Sequence, residues 1–377
     1  MDTMPFDRPL PLEPPPAYAR LRATSPVARV LAPDGQEAWL ITSYQAAATV
    51  LSDRRFGIAP PGADTTGNDT LFQDGEAHIR LRRAVSHAFG PRALDKLVPR
   101  VEGLAEECVR AMAEAGPPAD LMADLAVPLS ITVISELLGV PPQRRPLFRE
   151  LSDAVSRADF LFGEQDQIAA AAQAWQDFGA HAATLVAAKR SEPGEDLLSR
   201  LVTEPLTDDE LTAMITTIVT GGYLSASNAV GVTAMRVITE GRLPGLTPAV
   251  VDEALRMQSG RTGEPFPRYA HQDLELDGVA IKSGDLVLVR LEAAHRDPAH
   301  FTDPDRFLPG RRSAPPLVFG HGPHYCLGAV LARAEIGAAL SALSRHLPGA
   351  RLAEPLESVE WTTNSVDIGP LAVRVTW

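Results

Sequence analysis

The stretch VFGHGPHYCLG, residues 318–328, decides how this chain is read. It holds Cys326, one of only two cysteines in 377 residues, beside His321, His324 and a run of glycines. A zinc site on His321, His324 and Cys326 would crowd its ligands together, and no second cluster supplies the remaining one. A nucleophilic cysteine needs a base, and His324 is too near in sequence to point well. A phosphate loop needs Gly-Lys-Ser/Thr, which is absent. A merely buried cysteine leaves the glycines unexplained. A further reading covers more of the stretch. Gly320, Gly322 and Gly328 let the backbone pass close to a flat, bulky ligand, and Cys326 stands at the start of a helix expected near Leu327. A helix N-terminus favours the thiolate, and thiolate is a known axial ligand of haem iron.

Composition narrows the setting. A hydrophobic content of 45% is enough for a large core. With Cys108 the only other cysteine, a disulfide framework is excluded and a reduced, cytoplasmic setting is expected. The net charge of −13 argues against binding nucleic acid through its phosphates. The opening MDTMPFDRPLPLEPPPAYARL is acidic and proline-rich where a signal peptide needs a basic start and an apolar run, so it reads as an extended surface arm. Residues 211–235 carry no charge, but their Thr, Ser, Asn and Gly content predicts a long buried helix, not a membrane span.

Along the chain, the strand-like pieces 26–31 and 37–42 flank Pro33-Asp34-Gly35 and predict a hairpin. Helical patterns follow at 44–51, 76–89, 93–115, 121–139, 143–160, 166–190, 195–202, 208–240 and 248–258, broken at Gly and Pro. After 260 come short strands, a loop-rich stretch, a helix at 327–347 and the strand-like LAVRVTW. The fold class is therefore mainly α with a smaller β part. No internal repeat is visible.

Phe319-Gly320-x-Gly322-x-His324-x-Cys326-Leu327-Gly328 resembles the haem-binding signature of the cytochromes P450, and the likeness runs from Tyr44 to the C-terminus. It implies a helix-rich triangular prism of one domain, 1–377, with haem between the long helix at 208–240 and the Cys-loop helix at 327–347. The helix-rich lobe would take 76–258 and 327–347, and the β-rich part 26–42, 266–292 and 350–377. Cys326 would be the iron ligand, with Phe319, Gly320 and Gly328 against the cofactor, haem b (iron protoporphyrin IX). EALR at 253–256 and DPDRF at 303–307 resemble the family's buried charge network, implying Glu253, Arg256 and Arg306. HIRLRR and FPRYA resemble the propionate-binding segments, implying His78, Arg82 and Arg268, joined by His324. Arg261 and Glu264 stand near that strand, where a surface ion pair is expected ahead of recognition of a polar substrate.

The long helix departs from the family pattern. Where an acid and an alcohol relay protons to dioxygen, the chain reads Gly222-Tyr223-Leu224-Ser225, with Leu224 at the acid position and Ser225 at the alcohol position. Substrate or water could replace the relay, the reaction could need little proton delivery, or oxygen chemistry could be poor. The resemblance implies a bacterial-type monooxygenase that oxidises a small organic molecule with dioxygen, in natural-product tailoring. Its electrons would come from a separate ferredoxin-type partner, with no part for membrane or nucleic acid. The alternatives are a haem-thiolate enzyme of oxidative coupling, ring closure or isomerisation, and a haem-thiolate binding protein without turnover.

Overall fold

The structure, a computed structural model, describes residues 1–63, 70–89, 91–156, 165–258, 266–362 and 368–377. Arg261 and Glu264 lie outside them. In chain order the helices are α1 (Pro16–Thr24), α2 (Tyr44–Ser52), α3 (Gly75–Ala88), α4 (Pro91–Ala115), α5 (Val127–Leu137), α6 (Arg145–Ser156), α7 (Gln165–Ser191), α8 (Leu197–Leu201), α9 (Asp208–Thr239), α10 (Pro248–Gln258), α11 (Leu291–Ala294) and α12 (Ala329–His346). The strands are β1 (Asp2–Thr3), β2 (Val27–Leu31), β3 (Glu37–Ile41), β4 (Phe56–Gly57), β5 (Ala119–Asp120), β6 (Arg268–Ala270), β7 (Leu274–Leu276), β8 (Val279–Ile281), β9 (Leu286–Val289), β10 (Arg351–Leu352) and β11 (Arg374–Thr376). The chain forms two compact units, each discontinuous in sequence.

The first unit takes Met1–Thr66, Met235–Cys326 and Pro355–Val359. Its sheet runs β1-β2-β3-β9-β6-β4, with the expected hairpin in register from Val27 opposite Ile41 to Leu31 opposite Glu37. The turn between them needs Gly35 at φ +82°, a backbone that glycine adopts without strain. Strand alternation sends Ile41, Val287 and Val289 into one apolar cluster with Tyr44, Leu51, Phe301 and Leu317, and Leu40, Leu286 and Leu288 into another with Met4, Tyr18 and Leu21. The second cluster corrects the reading of the N-terminus. The opening residues are folded, not an extended surface arm: β1 pairs with β2, and Met4, Leu12, Tyr18 and Leu21 are buried. The prolines start α1 instead of forbidding it, because Pro16 sits at the first helical position, where a missing N–H costs nothing.

The second unit takes Gly67–Ala234, Leu327–Glu354 and Glu360–Trp377. It holds α3 to α8, α12 and α9 up to Ala234. The small sheet β10-β11-β5 belongs here, joined to a helix-rich body and not to the strands at 266–292. A π-helical turn, Met122–Ala126, leads into α5. The uncharged stretch 211–235 lies within α9, with Ile215, Val219, Tyr223 and Val232 fully buried. Thr207 and Glu210 cap this helix reciprocally: Thr207 Oγ1 accepts the Glu210 N–H at 3.1 Å, and Glu210 Oε2 accepts the Thr207 N–H at 2.8 Å. Among the described residues no helix is long and apolar enough to cross a membrane.

Candidate active site

In the first unit, the residues around Cys326 form a turn-rich loop held by its own backbone. The Leu317 carbonyl accepts the Gly320 N–H at 2.8 Å, and the Phe319 carbonyl accepts the Cys326 N–H at 2.8 Å. Gly320 at φ +77° and Gly322 at φ +73° occupy conformations that side chains rarely adopt. A Cβ on Gly322 would come within 2.6 Å of the Leu51 carbonyl and the Ser52 Cα, so the glycine lets the loop press against the end of α2. Cys326 is exposed and in no disulfide. The helix after it begins at Ala329, with Gly328 as its cap and open space where a Gly328 Cβ would point. Cys108 in α4 differs, because burial pushes its thiol pKa up and keeps it protonated.

The same unit holds a buried charge network. Glu253 and Arg256, 3% and 1% exposed, form a two-pronged pair with Nε and Nη2 both 2.9 Å from the carboxylate. The third member is Arg311, whose Nη2 lies 2.7 Å from Glu253, and the Leu308 N–H adds a bond at 2.9 Å. This corrects the expectation for Arg306. Its side chain is 71% exposed and stands 3.6 Å from Asp303, since a turn with Asp303 at φ +47° directs it outward. Only its carbonyl takes part, accepting Arg311 Nη2 at 2.8 Å. Arg256 also donates to the carbonyls of His295 at 2.6 Å and Pro304 at 3.0 Å. Although burial opposes its charge, the two arginines and the Leu308 N–H hold the Glu253 carboxyl below its usual range.

Of the four expected anion-binding residues, Arg268 and His324 belong to the first unit and His78 and Arg82 to the second. Arg268 in β6 is 4% exposed and donates to the Phe266 carbonyl at 2.6 Å. His324 is half-buried in a short turn before Cys326. His78 and Arg82 stand one turn apart in α3, His78 buried and Arg82 half-buried.

In α9, Gly221 is exposed within a helix whose other central residues are largely buried, and a Cβ there would meet nothing within 4 Å. Ser225, one turn on, donates its hydroxyl to the Gly221 carbonyl at 2.7 Å. Gly222 faces packing instead, with a Cβ reaching 3.2 Å from Ile134. Leu224 is 7% exposed, and Tyr223 donates to Asp153 Oδ1 at 2.6 Å. Within the first unit the donors are an exposed thiol in a glycine loop and the basic side chains of Arg268 and His324, a chemistry that fits a flat, dianionic iron porphyrin. Among the described residues no cluster of three or more His, Cys, Asp or Glu could hold a bare metal ion.

Comparison with known proteins agrees with this chemistry. The Cytochrome P450 family model matches residues 242–347. Nocardicin C N-oxygenase of Nocardia uniformis subsp. tsuyamanensis is 36% identical over 99% of this chain and 98% of its own length. The crystal structure of the LnmA cytochrome P450 hydroxylase, from the leinamycin biosynthetic pathway of Streptomyces atroolivaceus S-140, superposes with a TM-score of 0.89 at 35% identity over all of both chains. Cytochrome P450mel 107F1, described as having biaryl coupling reactivity, gives a TM-score of 0.85 at 32% identity, over 100% of this chain and 99% of that one.

Proposed function

This chain belongs to the cytochrome P450 family and is an oxidoreductase, and from that premise we propose that Cys326 is the axial ligand of a b-type haem in a cytoplasmic enzyme that oxidises a bacterial natural product. The family takes a haem iron, a small organic substrate, dioxygen and electrons from a redox partner; a ferredoxin is the donor proposed here. The observation that carries the assignment is the exposed Cys326 thiol on a loop whose tight turns rest on Gly320 and Gly322 at positive φ. Dioxygen activation is the chemistry that bound haem supplies.

The chain's own residues hold, orient and move protons. Arg82, Arg268, His78 and His324 are assigned to the propionates, where charge-assisted bonds are strongest. Glu253, Arg256 and Arg311 hold the backbone before the Cys loop. Phe319, Gly320 and Gly328 are assigned to the surface against the ring. Leu224 carries no titratable proton, so Ser225 is the one hydroxyl at the two relay positions. Its proton is engaged by the Gly221 carbonyl, leaving the oxygen lone pairs to accept a bond from water or substrate. To pass a proton onward, Ser225 must release that carbonyl and be reprotonated from the group it accepts from.

Oxygen insertion is the main reading, since the N-oxygenase and hydroxylase relatives are named for it. Oxidative coupling is the second, favoured by the likeness to P450mel 107F1 and by the leucine at the acid position. Reduced protein under carbon monoxide is expected to show the red-shifted Soret band of thiolate-ligated haem, and Cys326→His to lose it. A wild-type spectrum like that of histidine-ligated haem would end the assignment. Product mass then separates the readings: a gain of one oxygen for insertion, a loss of two hydrogens for coupling.

A further inference from the structure

The Cys loop begins at Leu317, and the backbone there is held by a side chain that no motif announces. The Leu317 N–H donates to Nε2 of His295 at 2.7 Å. The Leu317 carbonyl closes the turn onto Gly320, and the Phe319 carbonyl within that turn accepts the Cys326 N–H. Hydrogen bonds therefore run without a gap from the imidazole to the residue that bears the thiol.

The imidazole is itself fixed. His295 is 0% exposed, its carbonyl accepts Arg256 Nη1 at 2.6 Å, and its ring meets Phe301 edge-on with centroids 5.8 Å apart. Arg256 lies over the same Phe301 ring, 5.4 Å from its centroid. Accepting at Nε2 requires the neutral ring with its proton on Nδ1. Burial, helped by the charges of Arg256 and Arg296, supports that state by holding the pKa down to about 3. Among the described residues Nδ1 has no hydrogen-bond partner. An unpaired buried donor is costly, so an apolar side chain would pack here at lower cost. What only an acceptor can do is satisfy the Leu317 N–H.

We propose that His295 is a positioning residue for Cys326: its ring fixes Leu317 and, through Leu317, the loop that presents the thiolate. This rests on the assignment of Cys326 as axial ligand.

Three variants of the haem-loaded protein test it. His295→Gln places an amide oxygen near the position of Nε2; His295→Leu fills the space without an acceptor; His295→Asn stays polar but is too short to reach Leu317. The readouts are the ferrous–carbon monoxide spectrum through repeated reduction, the midpoint potential and the melting temperature. His295→Leu and His295→Asn are expected to lose the thiolate band several-fold faster than wild type and to shift the potential, while His295→Gln stays close to wild type. The loss should not track melting temperature. If His295→Leu fails to fold, the Asn and Gln pair carries the same comparison. Equal loss in Gln and Asn, or wild-type behaviour in Asn, overturns the positioning role. A wild-type protein without the thiolate band overturns the axial-ligand assignment and this proposal with it, and so is distinguishable from the first two outcomes.

Discussion

Buried polar groups are used in two different ways in this molecule. In the first unit they bond between segments far apart in sequence: Glu253 to Arg311, Arg256 to the Pro304 and His295 carbonyls, and His295 to the Leu317 N–H. Along α9 in the second unit the hydroxyls turn back on their own helix. Thr216, Thr217 and Thr220 donate to the carbonyls of Thr212, Ala213 and Thr216 at 2.8–3.0 Å, and Ser225 does the same to Gly221. Tyr223, bonded to Asp153 of α6, departs from that habit. Bonds of the first kind define tertiary structure, so their loss is felt in the fold. Bonds of the second kind duplicate what the helix ladder already supplies, so those hydroxyls can be spent on chemistry.

The largest expected effect follows from the first kind. Arg256→Ala removes two bonds to Glu253 and leaves that carboxylate 3% exposed with Arg311 as its remaining cation. Breaking a buried pair from one side typically costs about 3–5 kcal/mol. Arg306→Ala, at an exposed side chain, should stay within about 0.5 kcal/mol. Urea midpoints and soluble yield measure both. If Arg256→Ala were as stable as Arg306→Ala, the contrast between the two regions would collapse.

That pair of variants also marks how far the sequence could be read. The Cys loop was legible because cysteine, histidine and glycine at those spacings are tied to one chemistry. Glu253 and Arg256 were legible because a helix fixes i,i+3 neighbours. The third partner was not, because Arg306, Arg311 and Arg312 lie in a stretch without periodicity, where Asp303 at φ +47° and Gly310 at φ +78° turn the backbone in ways that no pattern of residues announces. His295 is not legible in the sequence for a related reason: accepting one backbone N–H requires no motif. In the N-terminal arm the prolines spoke for extension, yet Tyr18 and Leu21 already stood three apart on one face of a helix that Pro16 is suited to start. Thr207-x-x-Glu210 likewise displays the cap of α9 in the sequence itself.

A smaller effect sharpens the comparison through pH. Glu335 of α12 is 2% exposed and accepts the Ser130 hydroxyl at 2.9 Å. Burial pushes its pKa from the ordinary 4.5 up to about 8, with the Ser130 bond a lesser opposing influence. The folded chain therefore binds a proton that the unfolded chain has released, and this contribution to stability, complete below 4.5, is lost as pH rises through 8. His295 works in the opposite direction: its folded pKa is depressed from 6.5 to about 3, so stability falls as pH drops through that window. Glu335→Gln keeps an acceptor for Ser130 and carries no charge at any pH. It is expected to remove the decline between pH 4.5 and 8 and to be more stable than wild type at pH ~9. Chemical denaturation across pH measures this, and parallel wild-type and variant profiles would show that Glu335 is ionised in the fold.

The smallest effect on stability should accompany a clear effect on chemistry. Ser225→Ala deletes one hydroxyl that bonds to its own helix at 2.7 Å and leaves the backbone ladder intact. Alanine has the higher helix propensity, so the change in unfolding free energy should stay within about 0.5 kcal/mol. Proton delivery is another matter. With leucine at position 224, no side chain at the acid position can stand in for the lost hydroxyl. General acid–base contributions are typically on the order of a hundredfold or more, and Ser225 would carry part of one. Ser225→Ala is therefore expected to lower product formed per electron donor consumed several-fold, with peroxide released in parallel. Stability without coupling would mark α9 as the region whose polar groups are reserved for the reaction. An unchanged ratio, in a product that has gained one full oxygen, would remove Ser225 from the mechanism and leave water or the substrate's own hydroxyl as the proton source.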